Sequence, residues 1–392
     1  MDAPDLYRIL ICKASRVFVS GLLSVMTPVY LALLGYSPTY VGVFLLAIVA
    51  SNVVSNLVLS RFESRLGRKF FLLLFSGQMV ASGLLLSTAT SASLLLLASL
   101  IGNISTTGTE AGPFQSIEAA VLPGLGARIG VNKIFGVYNV MGYAAASLGA
   151  LAASIPGYSN DSLTVFRLLY LSYAFVGVLL FVLYLGLGEL EGLRDRPARE
   201  TYRPPSKVNK DIARISALYS VDAFGGGFVT QSLLTYWFFL VYKASLADLG
   251  VIFFVVNVIT TISIFAAALI GERFGNLKTM VATHLTSSLF LTAIPFAGSF
   301  GTALVLLFLR QSVSQMDVPT RQALMAELFD ARDLVRANST TNTFRSLGGL
   351  PGGPISGILY AAGLVGLPLV AAGVSKVLYD LAIFFSYRRV AR

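Results

Sequence analysis

Four short runs of polar residues recur at helical spacing inside apolar sequence. The first is Arg16, Ser20, Ser24 and Thr27; the second is Asn103, Thr106, Thr107 and Glu110. The third is Tyr219, Asp222, Gly226 and Thr230; the fourth is Arg310, Ser314, Asp317 and Arg321. Residues three, four and seven apart share one face of a helix, so each run forms a stripe. Three carboxylates and three guanidinium groups at such positions offer ion binding, proton exchange and recognition of a charged small molecule. They offer little covalent chemistry. Cys12 and His284 are the only residues of their kinds, so a disulfide, a cysteine metal site and a histidine-rich metal site all lack parts. The chain is expected to be no enzyme and to need neither cofactor nor metal. No GxxxxGK[ST] phosphate loop occurs either, which points away from nucleotide-driven work.

The elements that carry these stripes are long and apolar. Of 392 residues, 55% are hydrophobic and 12% charged, against about 25% charged in a soluble protein. Apolar runs of roughly 18 to 25 residues follow one another, each long enough to cross a hydrocarbon core about 30 Å thick. Spans are expected at 14–35, 40–60, 69–88, 93–115, 134–154, 164–187, 212–240, 248–270, 279–297, 301–322, 338–361 and 366–387. The net charge of +10 is distributed by topology. Arg61, Arg65, Arg68 and Lys69, then Arg128 and Lys133, fall in alternate loops. So do the cations from Arg194 through Lys210, Arg273 with Lys278, Arg332 with Arg336, and Arg388, Arg389 and Arg392. The opposite loops hold little beyond Lys243 and Arg167. This is the positive-inside pattern, with both termini expected in the cytoplasm of a cell whose inner membrane holds the chain. The cations therefore mark orientation, and no nucleic-acid partner is expected.

The sequence also repeats at an offset of about 205 residues. Gly67 and Gly275 close similar basic turns (ESRLGRK and GERFGNLK), Pro113 and Pro319 are each read as ending an apolar helix, and Asn139 matches Asn342. The single long hydrophilic stretch, 188–211, contains Pro204 and Pro205 and reads as a cytoplasmic linker. The expected domains are a six-helix half at 1–187, the linker at 188–211, and a second six-helix half at 212–392. Internal repeats of this kind are frequent in secondary transporters, whose substrate sites lie near the bilayer midplane.

Twelve spans, two halves and a basic glycine turn after the second helix of each half resemble the major facilitator superfamily across essentially the whole chain. The family turn reads roughly Gly-x-Leu-Ala-Asp-Arg-x-Gly-Arg-Lys. Here Arg65, Gly67, Arg68 and Lys69 are present, Ser64 stands at the acidic position, and Glu63 is available as a substitute carboxylate. In the second copy Glu272, Arg273 and Gly275 are in register, and Asn276 replaces an arginine. The run SQMDVPTRQALMAEL is similar to a prokaryotic subgroup. The resemblance implies an all-α fold of two pseudo-symmetric six-helix bundles, alternating access, and a central cavity lined by the first and fourth helices of each half. Those are the four striped helices.

From stripes and resemblance together, the expected cavity residues are Arg16, Ser24, Thr27, Asn103, Thr106, Glu110, Asp222, Gly226, Gln231, Arg310, Ser314 and Asp317. The expected cytoplasmic latch is Arg65, Gly67, Arg68, Glu272, Arg273 and Gly275. Buried charges are paired whatever their role, so structural pairs of Arg310 with Asp222, and of Glu110 or Asp317 with Arg345, are a second expectation. Lys376 and Asp380, four apart, are expected to neutralise each other, with His284 a packing residue. Gly225, Gly226 and Gly227 predict either a bent helix or close helix packing, and Gly348–Pro354 the same. The function that follows is secondary transport of a small molecule, with the proton as the favoured coupling ion and a monomer in lipid as the working form. Arg310 and Arg16 favour an anionic or zwitterionic solute. Drug–proton antiport is the alternative, weakened because Ala150 rather than proline follows Gly149; a passive channel is less favoured.

Overall fold

The computed structural model describes residues 3–109, 112–125, 131–188 and 206–388. Every regular element among them is helical. This is what a bilayer demands, because a helix satisfies its own backbone hydrogen bonds. In chain order the α-helices are α1 (Ala3–Leu33), α2 (Pro38–Leu66), α3 (Arg68–Thr88), α4 (Ala92–Ile101), α5 (Pro113–Leu125), α6 (Val131–Ala152) and α7 (Ser162–Leu185). They continue with α8 (Ser206–Gly227), α9 (Gln231–Tyr242), α10 (Leu246–Phe274), α11 (Asn276–Ala293), α12 (Phe300–Ser314), α13 (Asp317–Leu328), α14 (Ala331–Gly349), α15 (Gly352–Ala361) and α16 (Leu367–Tyr387). Among the described residues nine segments are long and apolar enough to cross a membrane, α8 and α9 counting as one. The remaining helices fall in three pairs, α4 with α5, α12 with α13, and α14 with α15, at the places of the other three expected spans, so the helix count is roughly that of the twelve expected.

Contacts divide the chain into two compact units, Met1–Pro197 with Gln231–Asn257, and Ala198–Thr230 with Val258–Arg392. The same packing scheme recurs inside each. In the first unit α1 packs on α6 and α3 on α7; in the second α8 packs on α14 and α11 on α16. Small residues allow these contacts, as expected where lipid removes the usual hydrophobic drive. A Cβ on Gly149 would collide with the Phe18 carbonyl of α1, and one on Gly83 with the Ala174 backbone of α7. In the second unit, one on Gly227 would collide with the Gly349 carbonyl, and one on Gly373 with Thr292. Exposed apolar side chains, such as Phe175 and Leu168 on α7, form the surface that lipid would cover.

The broken spans depart from the sequence expectation at one point. Pro113 and Pro319 lie in the first turns of α5 and α13 rather than at helix ends. The first turn has no intrahelical acceptor for its N–H groups, so proline costs nothing there and its fixed φ suits the start. Before α5 the chain is irregular from Gly102 to Thr109, with Asn103 at φ 50° and Gly108 at φ 73°. The stripe of Asn103, Thr106 and Thr107 therefore lies on no helix. The fourth stripe is likewise divided, Arg310 and Ser314 on α12 and Asp317 and Arg321 on α13. The interruption between α8 and α9 follows the three glycines, and both readings of that run apply. Gly227 is a packing contact, whereas a Cβ on Gly226 would meet open space.

Candidate functional site

The first unit holds one closed charge centre. Arg16 of α1 presents two nitrogens to Glu118 of α5, Nη1 to Oε1 at 3.1 Å and Nη2 to Oε2 at 2.7 Å. Tyr184 donates to Oε1 and Tyr138 to Oε2, each at 2.7 Å, and Arg16 also donates to the Tyr184 hydroxyl at 2.8 Å. The guanidinium lies over the Phe114 ring, 4.6 Å from its centroid. Glu118 is fully buried. A bidentate pair with all four carboxylate contacts filled is strong and specific in geometry. It leaves little for a solute to add.

Sequence reasoning missed Glu118. Reading Pro113 as a helix end placed Glu118 in a loop, although a proline that opens a helix puts a residue five positions later inside it. Glu110, nominated instead, lies outside the described residues.

Elsewhere in this unit, Ser24, Thr106 and Gln231 come together. Gln231 of α9 donates from Nε2 to Ser24 Oγ at 2.9 Å, and the Ser232 N–H donates to the Thr106 carbonyl at 3.0 Å. Gly108, at positive φ, lies against the Gln231 amide. Thr27 accepts from Tyr170 at 3.2 Å, and Asn103 donates to Gln78 at 2.8 Å.

The second unit holds a larger and less complete centre. Asp222 of α8 is buried, and Lys376 of α16 donates to its Oδ1 at 2.7 Å. Arg321 of α13 lies 3.6 Å and Arg345 of α14 3.8 Å from Oδ2. Arg321 also pairs with Asp317 at 2.8 Å, one turn back on its own helix. His284 of α11 sets Nδ1 2.8 Å from Asp380 Oδ1 and Nε2 3.3 Å from both Asp222 Oδ1 and Lys376 Nζ. The pairs expected from sequence are thus rearranged. Lys376 goes to Asp222 rather than Asp380, His284 takes Asp380, Arg345 meets Asp222, and Asp317 takes Arg321. A four-residue spacing made Lys376 and Asp380 neighbours, but the tighter partners sit on other helices. His284, expected only to pack, instead joins Asp380, Asp222 and Lys376.

Asp222, His284 and Asp317 each place a ligating atom within 4.8 Å of the others. Lys376 at 2.7 Å and Arg321 already face those carboxylates, so a divalent ion there would be repelled by two resident cations. The cluster reads as ion pairs.

Arg310 of α12 is not in this cluster. Its side chain is 8% exposed, its Nη1 donates to Gln311 Oε1 at 3.0 Å, and its Nε has no partner. No carboxylate lies within ion-pair distance of it among the described residues. Gln311 in turn donates to Thr260 of α10. Ser314, one turn along, is buried on the same helix.

The expected latch is partly described. Gly67 and Gly275 adopt nearly the same backbone, φ 82° with ψ 155° and φ 86° with ψ 145°, a region close to glycine-only. Arg68 Nε meets Glu63 at 2.6 Å, the carboxylate that substitutes for the missing one. Lys69 donates to the Leu185 and Leu187 carbonyls, both at 2.8 Å, at the end of α7. Arg65 is exposed. The side chains of Glu272 and Arg273 lie outside the described residues. In the second copy Asn276 donates to Glu327 at 2.6 Å.

The sequence pattern of the Major Facilitator Superfamily matches residues 238–391. An uncharacterized membrane protein of Saccharomyces cerevisiae is 24% identical over 405 residues, covering 94% of this chain and 90% of its own. That relative is eukaryotic, so the likeness is not confined to a prokaryotic subgroup. Among solved structures, a variant of the nucleoside transporter NupG is similar at a TM-score of 0.80 and 13% identity, over 97% of this chain and 100% of its own. The D-xylose-proton symporter is similar at 0.75 and 14%, over 96% of each. These likenesses establish the fold, a polytopic all-α membrane fold shared with secondary transporters.

Proposed function

We propose that the chain is a secondary transporter of the Major Facilitator Superfamily type, carrying a small molecule with an anionic group by alternating access in a cytoplasmic membrane. The fold and the superfamily match over 238–391 support transport. One observation carries the substrate class: Arg310 is buried, keeps an unpartnered Nε and lacks a carboxylate counter-ion among the described residues. Placing an arginine at mid-membrane depth costs at least about 2.5–3.5 kcal/mol on insertion scales. Something must offset it, and a solute carboxylate or phosphate fits the planar guanidinium fork. Gln311 and Ser314 are the neighbours that would orient such a group.

Arg16, by contrast, is neutralised by Glu118, so it is assigned to structure rather than to the solute. Asp222 and Asp317 are held by Lys376 and Arg321, which disfavours a cationic drug as the solute. The nucleoside and xylose carried by the structural neighbours do not transfer at 13–14% identity. Proton coupling is the favoured energy source, because the second unit gathers buried titratable groups and the chain holds no nucleotide motif.

Alternation requires contacts between the two sequence halves to break. The bond from Gln231 to Ser24 and that from Ser232 to Thr106 are the candidates, with the Gly67–Arg68 turn as the cytoplasmic latch. The halves 1–187 and 212–392 would move, joined by 188–211, with both termini in the cytoplasm and the monomer as the working unit.

Purified protein in proteoliposomes tests this. Radiolabelled small carboxylates, phosphates, sugars and nucleosides are offered with and without an inward pH gradient. Saturable, gradient-stimulated uptake of an anion is expected. Single-channel currents, or uptake confined to neutral solutes, would contradict the proposal.

A further inference from the structure

We infer that His284 is the proton-carrying site of this protein, its Nε2 gaining and losing the coupling proton between Asp222 and Lys376. This deepens the proton-coupled reading above and rests on it.

The two ring nitrogens face different groups. Nδ1 has one partner, Asp380 Oδ1 at 2.8 Å. Asp380 is fully buried, and its other oxygen, Oδ2, has no hydrogen-bond partner. A carboxylate so placed accepts from Nδ1–H in either charge state of the ring and fixes its orientation, as a positioning partner does. Nε2 faces two groups of opposite sign at equal range: Lys376 Nζ at 3.3 Å and Asp222 Oδ1 at 3.3 Å. Lys376 and Asp222 are themselves paired at 2.7 Å.

Two hydrogen-bond patterns therefore fit one set of heavy-atom positions. With the ring neutral, Nε2 is an acceptor and Lys376 donates to it as well as to Asp222. With the ring protonated, Nε2–H donates to Asp222 Oδ1, and Lys376 keeps only its bond to that carboxylate. The proton enters or leaves at Nε2 and nothing else need change partner. A geometry that serves both states without repacking lowers the cost of cycling between them, because buried polar groups left unpaired are expensive.

The charge balance agrees. The ring meets Asp222 of α8 and Lys376, Tyr379 and Asp380 of α16, with an Asp317 oxygen of α13 within 4.8 Å; behind these, Arg321 of α13 and Arg345 of α14 pair with Asp222, and Tyr219 of α8 lies under Arg321. α12, also packed on α11, places no charged group in contact with the ring among the described residues. Three carboxylates face three cations, so the cluster is balanced when the ring is neutral and carries one positive charge when it is protonated. The proton thus changes the net charge of a buried cluster that reaches from α8 to α16. One end of that cluster, Asp222, sits three residues before the glycine run at which α8 is interrupted. Loading the proton is thereby tied to the segment that must bend.

The test exploits the fact that His284 is the only histidine. Full-length protein is labelled with ¹⁵N-histidine, purified by a tag without histidine, and placed in nanodiscs, so every imidazole signal belongs to one ring. As pH rises from about 5 to about 9, Nε2 is expected to pass from protonated to unprotonated while Nδ1 keeps its proton throughout. In Asp380→Asn that preference for Nδ1 should be lost. In proteoliposomes, His284→Gln should lower gradient-driven accumulation by roughly tenfold or more and remove the pH dependence of counterflow. A ring that stays in one protonation state across the range, or that loses its proton from Nδ1, would overturn the assignment. So would undiminished gradient-driven accumulation in His284→Gln. Should that variant fail to insert, the spectrum of the wild-type protein still decides. A titrating ring in a protein that carries no solute would remove the transport reading and leave the proton site, so the two failures are told apart.

Discussion

Arg16 on α1 and Asp222 on α8 stand at matching places in the two sequence halves, and their surroundings differ in sign and in completeness. Around Arg16, one carboxylate and two phenols close every contact: Glu118 takes two bonds from the guanidinium and one each from Tyr138 and Tyr184. Around Asp222 the charges are reversed, three cations meet one carboxylate, and the phenols of Tyr219 and Tyr379 have no partner. The first arrangement fills every contact of its carboxylate, whereas the second leaves the Tyr219 and Tyr379 hydroxyls and Asp380 Oδ2 without hydrogen-bond partners. Buried networks that are fully satisfied make a structure rigid, and incompletely satisfied ones leave room for change. The two halves share helix pairings and differ in this respect, in keeping with the proposal that the second centre carries the working charges.

The largest effect should come from breaking the closed centre. Glu118→Ala leaves Arg16 as an unpaired buried charge, a loss of about 3–5 kcal/mol. It should show as a steep drop in melting temperature or in the yield of monodisperse protein. Arg16→Met with Glu118→Leu should recover most of it. A well-folded Glu118→Ala protein would erase the contrast between the halves.

Next comes the packing contact in the second unit. Gly227→Ala drives a Cβ into the Gly349 carbonyl and should cost about 1–3 kcal/mol, whereas Gly226→Ala faces open space. Replacing glycine in a helix interior should make Gly226→Ala neutral or slightly stabilising, by up to about 1 kcal/mol. Equal losses at both positions would mean that the interruption of α8, rather than its contact with α14, governs stability.

The smallest effect on stability belongs to the turn at Gly67. The pair of Arg68 and Glu63 is partly exposed, and Arg68→Ala should change unfolding free energy by less than about 1 kcal/mol. A latch role is supported if the variant nonetheless transports poorly, and removed if turnover is unchanged.

How much of this was legible in the sequence depends on the scale. Apolar runs, alternating basic loops and the glycine turns specified the fold, because a bilayer permits few solutions and length alone identifies a span. Gly67 and Gly275 read correctly as one turn used twice. Stripes located Arg16, Asp222 and Arg310 on their helices but could not choose partners. A carboxylate reaches a cation on another helix as readily as one four residues away, and spacing is silent about that. Glu118 was lost through one proline read in the wrong direction. Lys376 and Asp380 were read as a structural pair and His284 as a packing residue, because helical spacing shows nothing of the Asp222 carboxylate on α8 that Lys376 and His284 both reach.

The proposed anion specificity rests most on Arg310, the buried guanidinium in the second unit that no carboxylate neutralises among the described residues. Uptake of labelled small carboxylates and phosphates into proteoliposomes, under an inward proton gradient, compares the wild-type protein with Arg310→Gln and Arg310→Lys. The account predicts that the wild-type protein accumulates at least one of these anions. Arg310→Gln should fold with unchanged or higher melting temperature and lose about tenfold or more of the uptake, with Arg310→Lys weakened because the planar fork is gone. An Arg310→Gln protein that carries the same anion at the wild-type rate would contradict it.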